Sequence, residues 1–431
     1  MTDLAADHHT PWPFGLKFAF RFFFVFFILF VFFVPNGAVP LLNVFYDSYI
    51  QPMHGLVVWL GAHVLHLPQP ITTFTNGSGD TTYDYIVLLV CAISALVGAT
   101  VWSAIRRGPC NYTKLYYWLV VVVRFYVAFT MISYGGVKVI KLQFPYPNLY
   151  RLLQPYGNSS PMGLAWTFMG FSEGYNYFTG LAELSCGILL LFRRTTALGA
   201  LIGFVVSANI MAINYCFDVP VKIVSTLLTI MCLFILSKDA GRFLNLLILN
   251  RPAQPANLTP MRFRKKWKNI TMATLKYLVI AYVIASDVSN LFYGYNNYGD
   301  HASKPPLYGI YEVKSFVRGK DTVAPLITDT TRWRRLVINY KGTARAYLMN
   351  DSVRNLNFEV DTAKKLATVY SATDTLHKYK LHYARIPKDT LLLKGFYKGD
   401  TVNVKLHRFD EKKFRLTSRG FHWVNEYPYN R

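Results

Sequence analysis

A small set of ionisable and amide side chains stands inside stretches that are otherwise as apolar as a bilayer core. "VVVVRFYVAF" holds Arg124, "SYGGVKVIKLQFPYP" holds Lys138 and Lys141, "FTGLAELSCGILLLF" holds Glu183, and "SANIMAINYC" holds Asn209 and Asn214, with Asp218 and Lys222 close behind. A charge in hydrocarbon is costly unless it pairs or borders water, so each of these is a candidate functional residue. The chemistry they suit is recognition of a polar head group, or base catalysis by a lysine whose pKa falls on desolvation. The competing reading is structural. Lysines near span ends snorkel, and a buried acid and base clasp each other.

The elements that hold these residues are read from hydropathy. Apolar runs near the roughly 20 residues needed to cross a bilayer lie at about 18–34, 85–104, 115–137, 175–192, 197–215, 219–236 and 272–292. Seven spans are therefore expected, with "YIQPMHGLVVWLGAHVLHL" as an amphipathic helix along the interface. With seven spans, Arg106 and Arg107, Arg193 and Arg194, and the cluster from Arg262 to Lys268 share one side. The positive-inside rule makes that side cytoplasmic and places everything after about residue 293 outside. Arg124 and Glu183 each come out roughly 14 Å from the inner end at 1.5 Å per residue, so an ion pair between them is expected. Lys138, Lys141, Asp218 and Lys222 fall near outer ends, Asn214 one turn deeper, and Gly135 and Gly136 allow close approach. The connector "QFPYPNLYRLLQPYGNSSPMGLAWTFMGFSEG" reads as a re-entrant or interfacial lid over a pocket between helices.

From about residue 308 the period changes to two. Short alternating stretches such as "WRRLVINYK", "LNFEVDT" and "TVNVKLHRFD", separated by Asp, Gly and Asn turns, predict an antiparallel β domain, a small barrel or sandwich. The sequence so divides into N-terminal spans with an interfacial helix (1–114), a four-helix module (115–238), an amphipathic and basic segment with the last span (239–300), and the β domain (301–431). The β domain carries 25 Lys plus Arg against 12 Asp plus Glu. Its outward face suits anionic lipid head groups, an acidic protein partner in the membrane or periplasm, or simply solvent, the commonest surrounding of a charged strand face. The aromatic tail "RGFHWVNEYPYNR" is expected to close the barrel rather than dock on the membrane.

With 52% apolar residues the chain is too greasy to be wholly soluble. The net charge of +23 is dispersed, with no basic helix or aromatic RNA-binding signature, which argues against nucleic acid. Five cysteines show neither CxxC nor metal-type spacing; Cys186 and Cys216 are the pair that neighbouring helices would bring together. "TNGSGDTTYDY", with Asn76, Gly77, Gly79 and Asp80, has the chemistry to cap the helix that follows.

The run from Arg124 to about Leu236 resembles the DoxX superfamily, a four-helix membrane module. The likeness rests on "YGGVK", on "FTGLAELSCGILLLFRRTTALGALI" and on the amide-bearing helix after it. It covers about a quarter of the chain. The resemblance implies a bacterial inner-membrane protein, and in some members a membrane subunit of a quinone-reducing oxidoreductase; others resemble cargo receptors or assembly chaperones. The appended β domain and the "GFHWxNEYPxNR" ending resemble longer DoxX-like proteins of Bacteroidota-type bacteria. A second likeness, to the transmembrane module of vitamin K-dependent carboxylases, implies a lysine base at Lys138, although the paired lysines of that family's motif are absent here.

Overall fold

The computed structural model describes residues 11–39, 42, 44–73, 79–256, 258–386 and 389–430. Two compact units emerge: 1–144 with 160–295, and 145–159 with 296–431. The first is a helical membrane module. Its main helices are α1 (Phe14–Phe33), α2 (Tyr46–His63), α3 (Thr82–Ile105), α4 (Thr113–Val139), α5 (Pro161–Phe171), α6 (Glu173–Leu191), α7 (Thr196–Cys216), α8 (Lys222–Ser237) and α9 (Lys266–Asn297). A helix occupies each of the seven expected apolar stretches. By length and hydropathy α1, α3, α4, α7 and α9 suffice to cross a membrane, and α8 does so together with residues 240–248 beyond a 79° bend. Helix α6, at 19 residues, is long enough but less apolar than these, with Asn176 and Glu183 among its buried residues.

Helix ends are set by local chemistry. Thr81 and Asp84 form a reciprocal capping box at the start of α3. Asn76 and Gly77 lie outside the described residues; Asp80 turns out to cap a different helix, accepting backbone N–H bonds from Lys222 and Ile223 at the start of α8. Helix α4 ends at a left-handed residue, Lys141 (φ 54°). There Lys141 N–H bonds Lys138 O at 2.9 Å and Leu142 N–H bonds Val137 O at 2.8 Å, the paired reversal that normally calls for glycine.

The second unit is a closed antiparallel β-barrel. Strands β1 (Gly309–Arg318), β3 (Trp333–Ile338), β4 (Gly342–Leu348), β5 (Val353–Asp361), β6 (Leu366–Ser371), β7 (Asp374–Ile386), β8 (Thr390–Tyr397) and β9 (Asp400–Phe409) pair in sequence order, and β1 pairs with β9 to close the ring. The two-residue β2 (Asp321–Thr322) folds back antiparallel on the end of β1, with Val317 opposite Thr322. Alternate residues point inward, and Leu336, Phe358, Leu381, Leu393, Val404 and Trp333 fill the interior. It is therefore a packed barrel, the form taken by small rings with large inward side chains. At the β8–β9 hairpin Lys398 and Gly399 both have positive φ, as a two-residue type I′ turn requires.

Two expectations change here. Residues 145–159 of the supposed lid belong with the barrel. Leu149 is buried against Ile310 and Val337 on its outer wall, Leu149 N–H donates to Asn339 Oδ1 at 3.1 Å, and the Arg345 guanidinium lies 4.1 Å from the Tyr150 ring centre. The flanks of that connector, residues 143–144 and 160–174, remain with the helices. The tail does not close the barrel either, because the β1–β9 ladder already has; Trp423 is 91% exposed.

Candidate functional site

The register of two antiparallel helices builds the site. Small residues recur at seven-residue spacing on both, Ala128 and Gly135 on α4, Gly180 and Gly187 on α6. A Cβ at Gly135 would lie 2.8 Å from Gly180 O, and one at Gly187 would lie 2.7 Å from Ala128 O. The backbones thus touch where side chains are absent, as in membrane helix pairs generally. That contact fixes which polar residues meet. Lys138, in the last turn of α4, reaches down the interface and pairs with Glu183. Both are buried, at 5% and 1% exposure.

Arg124 is not Glu183's partner, which corrects the expectation from depth. Counting residues from each span end assumed that the helices start level, whereas the glycine contacts slide α4 so that Arg124 lies near the other end of α6. There it donates to Thr196 Oγ1 at 3.1 Å.

A cavity of about 100 Å³ lies beside the Lys138–Glu183 pair. Its wall is mostly apolar, from Met131, Ile210, Leu228 and Met169, with Phe144 and Trp166 meeting edge to face at 5.0 Å. The Lys138 ammonium sits 6.0 Å from the Phe144 ring centre. Asn214 lines the same space, and its Nδ2 donates to Val221 O (3.1 Å) and Ser225 Oγ (3.0 Å). Two acceptors there have no hydrogen-bond partner: Glu183 Oε2 and Gln143 Oε1. Asn176, fully buried on α6, donates to Met169 O and holds α5 against the start of α6. This brings Trp166 and Met169 to the cavity.

Of the other expected pocket residues, Asn209 lies on an exposed face of α7, and Lys222 and Asp218 pair with each other at 2.9 Å with the Asp218 side chain 86% exposed. Asp218, at φ 51°, ends α7 in the way that Lys141 ends α4. These three, with Lys141 buried at a helix terminus, do not line the cavity. Tyr134, Gln143, Phe144, Trp166 and Ser207 do, although no charge singled them out; the paired small residues on α4 and α6 were the signal from which the register, and hence Glu183's true partner, could be read. Cys186 sits by Cys232 around Gly203, while Cys216 is exposed.

A second, wider cavity of about 560 Å³ is lined by Asp47, Asp80 and Asp84 with Tyr46, Tyr83 and Tyr134. Asp80 and Asp84 are already committed to helix caps, and His54 Nδ1 bonds the Tyr83 hydroxyl at 2.7 Å. Two of its three acids thus have structural roles at helix starts.

Fold and site together define a helical membrane module with a buried ion pair beside an apolar cavity, followed by a packed β-barrel. No family model matches the chain, and no solved structure matches it. Over 125 residues, 28% of this chain and 78% of the relative, it is 38% identical to a Bacillus subtilis (strain 168) protein named Uncharacterized protein YwoB. The chain belongs to the same family as that protein.

Proposed function

We propose that the helical module binds a lipid-soluble ligand by its polar head at the Lys138–Glu183 pair, as a DoxX-like membrane subunit of an oxidoreductase whose ligand is a quinone or its quinol. The observation that carries this reading is the unpartnered Glu183 Oε2, 1% exposed residue and all, beside an apolar cavity. A buried acceptor left without a hydrogen bond costs about 1–3 kcal/mol, more when charged, and a ligand hydroxyl recovers it. The polar groups suit both redox forms: Lys138 N–H donates to a carbonyl, and Glu183 Oε2 and Gln143 Oε1 accept from hydroxyls. The space is smaller than the roughly 300–1,000 Å³ of drug-sized sites, so it takes the head alone, and a ring enters only as Phe144 and Trp166 swing aside. In this reading the protein lies in a bacterial inner membrane with the barrel on the periplasmic side, because the basic loops mark the opposite face as cytoplasmic.

The test is titration of the detergent-solubilised full chain with a short-tailed quinol and with its dimethyl ether, which lacks the donors. The quinol should bind at least about tenfold more tightly, a difference worth about 1.4 kcal/mol, and Glu183→Gln should narrow that preference. Equal affinity for the two compounds, or no binding of either, sinks the proposal. Two other roles follow from the sequence: a lysine base at Lys138 and an assembly factor acting through the basic barrel. The ion pair weighs against the first, since an ammonium held by a carboxylate must leave it before its lone pair is free. For the second, the exposed Phe421, Trp423 and Tyr427 offer a surface to a protein partner.

A further inference from the structure

In the N-terminal half of α4, away from that cavity, three cations gather with no acid among them. Arg124 on α4, Arg193 after α6 and Lys276 on α9 are close enough to act on one another electrostatically. Arg124 lies 4.9 Å and Lys276 5.9 Å from the centre of the same ring, Phe125. Arg193 stacks on Tyr117, its Cζ 5.6 Å from the ring centre, and donates to the Tyr117 hydroxyl. Among the described residues no carboxylate forms an ion pair with any of the three.

Arg124 is the informative member. It is 5% exposed, which excludes a snorkelling side chain that reaches bulk water. Its Nη1 is taken by Thr196 Oγ1, while its Nε is buried without a partner. The Nε–Nη2 edge of the guanidinium is thus unpaired, and that edge is one of those by which arginine grips two oxygens of a phosphate or carboxylate at once. Thr196 opens the 21-residue helix α7, so the positive end of its dipole lies at the same place. Like charges do not cluster in a membrane protein against their mutual repulsion unless something negative completes the group. A basic pocket between helices at the end rich in positive loops suits a lipid head group.

We propose that Arg124, Arg193 and Lys276 form an anion site for a phosphate group, supplied by the head group of an acidic phospholipid. It is separate from the Lys138–Glu183 cavity and does not depend on what that cavity binds. No bond is made or broken; the lipid is a structural ligand that neutralises the cluster.

The test uses the solubilised full chain equilibrated with labelled phosphatidylglycerol or phosphatidylcholine, followed by counting of lipid retained per protein. Phosphatidylglycerol should be retained with at least about tenfold preference, equivalent to about 1.4 kcal/mol. Arg124→Gln should abolish the preference and Lys276→Gln should reduce it severalfold. Lys276 is only partly buried, so its variant keeps the test alive if Arg124→Gln does not fold. Displacement of the lipid by millimolar inorganic phosphate would give the site to free phosphate; persistence of the lipid would give it to the head group. Equal retention of the two lipids, or a preference that survives Lys276→Gln together with Arg193→Gln, would overturn the proposal.

Discussion

The helical module and the barrel spend their charged residues in opposite ways. In the barrel the core cluster is apolar and most charges sit on its outside in local pairs such as Arg318–Asp400 (2.7 Å) and Lys314–Glu312 (3.1 Å), with Arg332 a buried exception whose guanidinium donates to Val323 O. In the helical module Lys138, Glu183 and Arg124 are buried, and Glu183 Oε2 and Arg124 Nε keep unfilled hydrogen-bonding positions. Burial of an ion pair seldom adds net stability over apolar packing. In the bundle the buried ion pair borders a cavity, whereas the buried Arg332 of the barrel unit adjoins a filled core, and this difference is what supports the proposal of a ligand site among the helices.

The contrast can be broken at several points. The largest effect is expected from Glu183→Ala, which leaves the Lys138 ammonium buried and alone; such losses run to about 3–5 kcal/mol, read as a lower unfolding temperature in detergent, with ligand binding lost as well. Trp333→Ala in the barrel should cost as much, about 3–5 kcal/mol, because its ring packs at 5.6 Å against Tyr397 in the filled interior. Ligand retention by that variant should be unchanged below its melting point; if retention falls, the division of labour is wrong.

A smaller effect concerns acid. The backbone N–H groups of Arg332 and Thr331 bond the Asp329 carboxylate at 2.8 and 2.6 Å and hold it below its ordinary range. The folded state therefore prefers the ionised form. That contribution is complete above the unfolded value of about 3.9 and is lost as pH falls through the lower folded value. The stability gap between the native chain and Asp329→Asn should be constant from neutrality down to about pH 4 and close below it; a gap that persists at lower pH would contradict this. The smallest effect is expected from Asp400→Asn, under about 1 kcal/mol in urea unfolding, as for other exposed pairs.

Much of the fold was legible. Hydropathy located a helix at each apolar stretch, and period-two alternation located the barrel, because both signals are carried by residues facing a single environment. The pairing of charges was not, since residue counts measure distance along one helix and say nothing of how two helices slide. Ala128, Gly135, Gly180 and Gly187 hold that information: with Gly135 against Gly180, Lys138 and Glu183 lie within about one turn on either side of that contact, within reach of a lysine side chain, while Arg124 falls about three turns away. The connector was misread for a related reason. Tyr146, Leu149 and Tyr150 are apolar enough to suggest a membrane lid, but composition alone does not distinguish lipid from the outer wall of a barrel 160 residues further on. Asp218 and Lys222 drew notice as charges near a span end, and their spacing of four residues already pointed to a local pair.

The central claim, that Lys138 and Glu183 are kept for a ligand rather than for the fold, is tested most directly by replacing both. Lys138→Met with Glu183→Leu substitutes apolar side chains of similar volume, which is neutral or stabilising when a buried pair serves structure alone. Lipid extracts of the native chain and the double variant, each purified from its own membrane, would be compared by mass spectrometry. The account predicts a folded double variant that has lost one small hydroxylated or quinonoid lipid present with the native chain. A folded double variant with the same extract as the native chain would contradict it.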